Sequence, residues 1–381
     1  MAIAFGGTPQ EQPSAIAKPR PTLPRAVSAL IAEATVQDDR LDPQIRPQTL
    51  DDYIGQSQLK ESLRVSMLAA QHRQEPMDHL LLYGPPGLGK TTLAMVMAKA
   101  MGKAITVTSA PALERPRDIV GILMSLTEGH VLFVDEIHRL NRTTEEILYP
   151  AMEDFALDRT LGQGPSAKVL RVPLPKFTLI GATTKAGALS SPLRDRFGMV
   201  HRLEYYTLEE MQAILHRSAS ILGFALSDEA AAFIAQSSRA TPRIANRLLR
   251  RLRDYRIVHA DESGVSPLPV TLAQAKDALA LFDIDAHGLD PTDRLFLTTL
   301  LTTFNGGPVG IDSLAACLGD DPRTLEDVVE PYLLQKGLVQ RTPRGRMATP
   351  KTLSVLPHGV LAQCSAAIQN SLAQQGSLLG Q

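Results

Sequence analysis

The stretch Leu80-Leu-Leu-Tyr-Gly84-Pro-Pro-Gly-Leu-Gly89-Lys90-Thr91-Thr92 limits what this chain can fold into more than any other. An apolar run of strand type, Leu80 to Tyr83, feeds a G-x-x-x-x-G-K-T loop, and a helix-forming segment, Leu93 to Met101, follows. Between a strand and a helix such a string is a phosphate-binding loop: its glycines, Gly87 and Gly89 among them, let backbone N–H groups close around an oxyanion at the positive end of a helix dipole. Lys90 then reaches the β- and γ-phosphates of a nucleotide, and Thr91, followed by Thr92, offers a hydroxyl to Mg²⁺. A plain Gly/Pro turn leaves the Lys and Thr after the last Gly without a reason.

A second apolar run, Val131-Leu-Phe-Val-Asp135-Glu136, ends in two carboxylates. In an open parallel sheet a run of this kind is a buried strand whose carboxyl end opens onto the ligand crevice. Downstream of a phosphate loop this places Asp135 on the metal and Glu136 on the attacking water. Phe177-Thr-Leu-Ile-Gly-Ala-Thr183-Thr184 is a third buried strand, ending in hydroxyls. Strand-like and helix-like segments alternate around these three, with Ser57 to Arg73 and Ile119 to Thr127 as helices and Ala104 to Thr108 as a strand, so the expected core is a parallel α/β sheet. Leu157 to Phe177 reads as a β-hairpin turning at Gly162-Gln-Gly164-Pro, and Thr143-Thr-Glu-Glu146 and Thr207-Leu-Glu-Glu210 read as helix-capping boxes.

Beyond Tyr206 the period is helical throughout: Leu208 to Leu222, Ser227 to Arg239, Pro242 to Val258, a loop at Asp261 to Pro269, and Leu272 to Leu281. Past Asp290 come three short helices, Leu295 to Phe304, Ile311 to Leu318 and Thr324 to Lys336, followed by strand, turn and strand over Gly337 to Thr349. That is the outline of a winged helix. The expected parts are an extension over residues 1–40, with a short helix at Ala26 to Ala34, an α/β body over 41–206, a helical domain over 207–282, a winged-helix head over 283–353 and a tail over 354–381.

Composition sets the surroundings. Lys and Arg (39) balance Asp and Glu (40), so any nucleic-acid affinity comes from a local basic face. Two cysteines, Cys317 and Cys364, with no CxxC argue against a disulfide framework or a zinc site. No apolar run approaches a membrane span, and no signal pattern opens the chain, so a cytoplasmic protein is expected.

In their order, the phosphate loop, the Asp135-Glu-Ile-His138-Arg box, Ile180-Gly-Ala-Thr-Thr184, Ser191-Pro-Leu-Arg-Asp-Arg196-Phe-Gly and Thr241-Pro-Arg243-Ile-Ala-Asn-Arg247 resemble the AAA+ ATPases. With Leu148-Tyr-Pro-Ala-Met-Glu-Asp154 and Gln340-Arg-Thr-Pro-Arg-Gly-Arg346-Met-Ala, the chain is similar to the RuvB family of bacterial Holliday-junction branch-migration motors over residues 41–350. The resemblance implies a homo-hexameric ring around double-stranded DNA at four-way junctions, working with a RuvA-type junction-binding protein and a RuvC-type resolvase, and using ATP and Mg²⁺. It implies that Thr183 or Thr184 senses the γ-phosphate, that Arg196 is an arginine finger acting on the neighbouring subunit, and that Arg243 closes the helical domain over ATP. It also implies that Ile45 and Arg46 hold the adenine, that Tyr206 and Glu153, Asp154 and Phe155 line the same pocket, and that the hairpin over Leu157 to Leu174 docks the RuvA-type partner.

Arg341, Arg344 and Arg346 lie on the expected wing, where they could reach DNA phosphates without reading bases. The arginine that some relatives carry ahead of the last head helix is represented here by Asp321-Pro322-Arg323, which leaves Arg323 unassigned. Arg247, Arg250, Arg251, Arg253 and Arg256 share a helix whose apolar side is Ile244, Leu248, Leu249 and Leu252, and read as a solvated or subunit-facing surface. A clamp-loader-like AAA+ switch is the nearest alternative, but it typically carries Ser-Arg-Cys before its finger and a helical collar at its C-terminus. A DExH-type helicase needs a second motor domain, which residues 200–340 do not supply.

Overall fold

Three apolar runs become the middle of a five-stranded sheet. The computed structural model describes residues 44–161, 168–259, 268–285 and 287–356. The extension, the hairpin turn at residues 162–165, most of the loop at 261–269, and Cys364 with the tail from 357 lie outside the described residues. Strands β1 (Leu80–Tyr83), β2 (Ile105–Ser109), β3 (Val131–Asp135), β6 (Thr178–Thr183) and β7 (Met199–Arg202) pair in the order β2-β3-β6-β1-β7, every neighbour parallel. Leu80, Leu81, Leu82, Leu132, Phe133 and Val134 are wholly buried, as strands covered on both faces must be. Helices α1 (Ser57–Arg73) and α2 (Lys90–Ala100) lie in the core that includes Leu80 and Leu82, while α3 (Pro116–Ser125) and α4 (Arg142–Glu153) lie in the one that includes Leu81 and Leu132. The antiparallel hairpin β4 (Ala156–Leu161) and β5 (Lys168–Pro173) follows α4.

One capping expectation changes. Helix α4 starts at Arg142, and the side chain of Asn141 accepts from the N–H of Thr144 at 2.8 Å, so Thr143 is already inside the helix. Asn caps as well as Thr, and here it sits at the point where the chain leaves its extended conformation. The box at Thr207 and Glu210 forms as read.

Short helix α5 (Ser191–Arg194) precedes β7. Helices α6 (Leu208–Ile221), α7 (Asp228–Ser237), α8 (Pro242–Val258) and α9 (Leu272–Leu281) make the helical domain. Its side of the core holds Met211, Leu215, Ile234, Leu248, Leu249, Leu252 and Leu279.

The head has its own core around Phe296, Leu300, Leu314, Leu325 and Leu333. It comprises α10 (Pro291–Thr302), α11 (Ile311–Leu318), α12 (Pro322–Thr324), a π-helical turn at Leu325–Val329, α13 (Glu330–Gln335), the wing β8 (Val339–Thr342) and β9 (Gly345–Ala348), and α14 (Pro350–Val355). Helix α10 begins four residues before the expected Leu295, because Asp290 and Asp293 form a reciprocal capping box that a Ser/Thr-to-Glu/Gln pattern does not reveal. Helix α14 reaches two residues into the segment expected to be tail.

Candidate active site

The phosphate loop leaves β1 at the carboxyl edge of the sheet, and two of its glycines are irreplaceable there. Gly84 has φ +142° and a Cβ on it would meet the carbonyl oxygen of Leu203 at 2.7 Å; Gly89 has φ +97° and a Cβ would meet the Tyr53 hydroxyl at 2.8 Å. Tyr53 and Tyr206 both direct their hydroxyls at the Leu88 carbonyl, at 3.1 and 3.0 Å, and so pin the loop from behind. Burial pushes the Tyr206 phenol up to about 12, which keeps it a donor at any physiological pH. Tyr53 was not singled out from sequence; its only signal was a tyrosine amid the polar residues ahead of α1.

Lys90 is buried, and its Nζ donates to the carbonyls of Gly84 and Pro85 at 2.8 and 2.9 Å. Burial lowers its pKa to about 8; Asp135 and Glu136 pull it up and Arg243 pushes it down again. Lys90 and Arg243 thus lie near enough for one charge to act on the other, an arrangement that favours an anion between them. The N–H of Arg243 donates to Gly87 O at 3.4 Å, which joins α8 of the helical domain to the loop. Arg46 reaches Met95 Sδ on α2 at 3.4 Å, and Arg217 on α6 donates to Ile45 O at 2.8 Å. The structure thus sets Tyr206 and Arg243 against the loop that carries Gly87, Gly89, Lys90, Thr91 and Thr92, and ties Ile45 to α6 and Arg46 to α2.

Asp135 and Glu136 end β3 on the same edge. The backbone N–H of Glu136 donates to Asp135 Oδ1, and Glu136 sits in the left-handed region at φ 49°. A hydroxyl on Thr91 and a carboxylate on Asp135 are hard oxygen donors of the kind Mg²⁺ takes, and such an ion keeps most of its shell as water and phosphate. Among the described residues no group of three or more His, Cys, Asp or Glu side chains could hold a metal by itself. The two threonines at the end of β6 separate in role. Thr184 Oγ1 donates to Glu136 Oε2 at 3.3 Å, while Thr183 is fully buried and its hydroxyl pairs with His138 Nδ1 at 2.8 Å. His138 in turn lies 3.2 Å from Glu136, and burial lowers its pKa, so it stays neutral beside the carboxylate at neutral pH.

Glu153, Asp154, Phe155 and Arg196 lie elsewhere, which corrects the expectation that the first three line one pocket with Tyr206. Helix α4 starts near the carboxyl edge and runs back, so its end lies beside His79, the residue before β1: His79 Nε2 is 3.0 Å from Met152 O. Arg196 comes three residues ahead of β7 on that same amino edge. Four residues of β1 span about 13 Å between the two edges. At the far edge Arg196 pairs with Glu153 at 3.1 Å, Asp154 pairs with Arg171 at 3.2 Å, and a cavity of about 560 Å³ opens among them. Phe155 packs against the rings of His79 and Phe177.

On the head, the wing arginines are divided. Arg341 and Arg346 both grip the buried Glu330 carboxylate, at 2.6 and 2.9 Å, and each reaches Glu326 at 3.4 Å. Burial pushes Glu330 up, but the hydrogen bonds and charges of the two guanidiniums outweigh it and leave the carboxyl below its ordinary range. Arg346 is thereby largely buried in the head's own scaffold, Arg341 is half exposed, and Arg344 at the turn is exposed. Arg323 faces the ATPase body, lining a cavity of about 970 Å³ with Pro85, Glu136, Thr184 and Arg341. Of the α8 arginines, Arg251 lies over Phe282 and Arg256 over Phe224, each 5.2 Å from the ring centre.

Three family models match in succession: the Holliday junction DNA helicase RuvB P-loop domain over residues 45–203, the RuvB AAA lid domain over 206–285 and the RuvB C-terminal winged helix domain over 286–357. The Holliday junction branch migration complex subunit RuvB of Crocosphaera subtropica is 55% identical over 318 residues, covering 84% of this chain and 88% of its own. That of a Synechococcus species is 55% identical over 330 residues, covering 87% and 94%. Among solved structures, the Thermotoga maritima RuvB Holliday junction branch migration motor superposes with a TM-score of 0.73 at 45% identity, over 81% of this chain and 97% of that one.

Proposed function

Since the chain belongs to the RuvB family of P-loop AAA+ ATPases, we propose that it is the ATP-driven subunit of a RuvAB-type complex that moves duplex DNA during Holliday-junction branch migration. The observation that carries this reading is the distance between the two halves of the chemistry. Lys90, Asp135, Glu136 and Thr184 sit on one edge of the sheet and Arg196 on the other, so a nucleotide held by one copy is triggered by the next. An arginine supplied across an interface contributes about 10³–10⁵ in rate, and makes hydrolysis depend on assembly. We assign residues 41–206 to the large ATPase domain, 207–282 to its lid and 283–353 to the DNA-binding head, the working object being a homo-hexamer in the cytoplasm.

In the mechanism the backbone N–H groups of the loop and Lys90 bind the phosphates, Ile45 and Arg46 hold the base, and Arg243 draws the lid down. Thr91 and Asp135 would hold Mg²⁺, which would supply neutralisation of the charge that builds on the phosphates. Glu136 takes a proton from the attacking water, and Thr184, already hydrogen-bonded to Glu136, reports whether the γ-phosphate is present. Glu153, Asp154 and Phe155 meet the nucleotide of the adjacent copy along with Arg196. Arg344 and the exposed part of Arg341 contact DNA phosphates without selecting sequence. The hairpin β4–β5 docks a RuvA-type partner, and the complex hands junctions to a RuvC-type resolvase. A clamp-loader-like switch is disfavoured by the winged head where a collar would stand.

The test is a synthetic four-way junction mixed with the protein, with and without a RuvA-type protein and ATP. The wild type resolves it into duplex arms only with both. Glu136→Gln binds ATP with unchanged affinity and loses turnover by at least 10²-fold; an unchanged rate would remove the hydrolytic assignment.

A further inference from the structure

Around Arg196 the structure contains more apparatus than a surface arginine requires. Its guanidinium carbon lies 4.4 Å from the centre of the Tyr149 ring, which supports the cation from one face. The Tyr149 hydroxyl donates to Glu145 Oε2 at 3.2 Å, and Ser190 Oγ donates to the same oxygen at 2.7 Å. Ser190 is the cap of α5: its side chain accepts from Leu193 N–H. Arg196 Nη1 donates to Pro192 O at 2.6 Å, so the loop that Ser190 starts also holds the arginine it leads to. Glu145, Tyr149 and Glu153 recur every four residues along α4 and therefore form one stripe. Glu145 is buried, and among the described residues its side chain is held by these two hydroxyls. The Nε of Arg196 is buried with no hydrogen-bond partner among the described residues, which is costly unless another arrangement satisfies it.

We propose that Tyr149 is a positioning residue for the trans-acting arginine, its ring a shelf fixed by Glu145 and Ser190 on which the Arg196 guanidinium rests while it turns from Glu153 to the γ-phosphate of the adjacent copy. This rests on the reading of Arg196 as acting in trans. The shelf confines the long arginine side chain without taking up its Nη donors, and Glu153 is an exposed partner that a triphosphate outcompetes. Because the ring is attached to α4 and the arginine follows α5, the two elements must stay in register for the finger to point outward. Removing the ring leaves the charge but frees its direction.

The experiment uses the full chain with duplex DNA and ATP. Tyr149→Leu is expected to lower kcat about tenfold with KM for ATP and nucleotide affinity unchanged, since the P-loop is on the other edge of the sheet. Tyr149→Phe, which keeps the ring and loses only the tie to Glu145, falls about two- to threefold. The two variants together keep the test open if Tyr149→Leu folds poorly, because ordering Leu below Phe below wild type is itself required. Mixing supplies the readout that a merely structural role would not move. Chains carrying Tyr149→Leu are combined with chains carrying Lys90→Ala, which have no working loop but an intact finger; mixed rings should hydrolyse ATP faster than the sum of either preparation alone. Arg196→Ala combined with Lys90→Ala runs in parallel. If that control recovers and the Tyr149→Leu mixture does not, or if Tyr149→Leu keeps the wild-type kcat, the shelf is overturned while the trans arginine stands. If the Arg196→Ala mixture shows no recovery, the trans reading fails and takes the shelf with it.

Discussion

Arg239 joins the lid to the head, and its removal should carry a pH signature. It sits just ahead of α8 with Ala240, both in the left-handed region at φ 56° and 51°. Its guanidinium pairs with Asp290 at 2.8 Å and with the wholly buried Asp293, donates to Gly288 O at 3.3 Å and lies 4.7 Å from the centre of the Tyr332 ring. Burial pushes the Asp293 carboxyl up to about 7 against the pull of Arg239. Take Arg239→Met, which keeps the bulk. The lost contacts to Gly288, Asp290 and Tyr332 cost about 2–3 kcal/mol at any pH. Without the arginine, burial holds Asp293 protonated to higher pH still. In both proteins the folded pKa exceeds the unfolded value of 3.8, so each loses stability as pH climbs from about 4. The wild type stops losing near 7, where Asp293 ionises against Arg239, and the variant goes on losing about 1.4 kcal/mol per unit. The gap between them should therefore be flat up to pH 7 and about 2 kcal/mol wider at pH 8.5. Hydrogen exchange of amides in residues 287–302, corrected for intrinsic rates, measures it in the intact chain. Adding Asp293→Asn to Arg239→Met should flatten the profile. An equal gap at pH 6.5 and 8.5 would refute the argument.

Lys90 gives a second pH dependence: with its pKa near 8 in the empty loop and raised by a bound triphosphate, ATP affinity should fall on the order of tenfold per unit above pH 8, with proton uptake seen by calorimetry in buffers of different ionisation heat. His79 accepts from Leu179 N–H at Nδ1, and burial lowers its pKa, so its contribution is complete above the unfolded value and lost as pH falls. The thermal midpoint of the wild type should drop more between pH 7.5 and 5.5 than that of His79→Gln, by differential scanning calorimetry. A short bis-methanethiosulfonate linker joining Lys185→Cys to Asp327→Cys, in a background with Cys317 and Cys364 changed to Ser, should stop turnover while leaving ATP binding intact, and reductant should restore it. A full rate in the cross-linked protein would rule out the need for that contact to open.

The middle of the sheet was legible because a strand buried on both faces leaves an uninterrupted apolar run, and three such runs end in residues whose chemistry belongs at a ligand edge, Gly84, Asp135 and Thr183; the edge strand β7, half exposed and only four residues long, leaves no such run and was missed. Helix α8 was legible to its last residue because proline opens it and Leu248, Leu249 and Leu252 repeat on one side. What stayed hidden depends on pairs far apart in the chain. Arg239 finds Asp290 and Asp293 51 and 54 residues on, and Arg341 and Arg346 find Glu330 across a turn from helix to wing. An arginine on a wing looks the same in sequence whether it faces phosphate or a buried carboxylate. The misplacement of Glu153, Asp154 and Phe155 has a related origin, since a motif says that residues meet a nucleotide but not which copy's nucleotide it is.

The head is tied on both sides of the nucleotide cleft, and the two ties are unequal. Arg239 holds it to the lid through a buried network, whereas Lys185, next to Thr184, holds it to the sheet through a single pair with Asp327 at 2.9 Å in which both side chains are half exposed. An exposed pair contributes about 0–1 kcal/mol, whereas the contacts of Arg239 to Gly288, Asp290 and Tyr332 hold about 2–3 kcal/mol at any pH. If Arg243 draws the lid towards bound phosphates, as proposed above, the exposed Lys185 contact is expected to part before the Arg239 network, leaving the head attached to the lid.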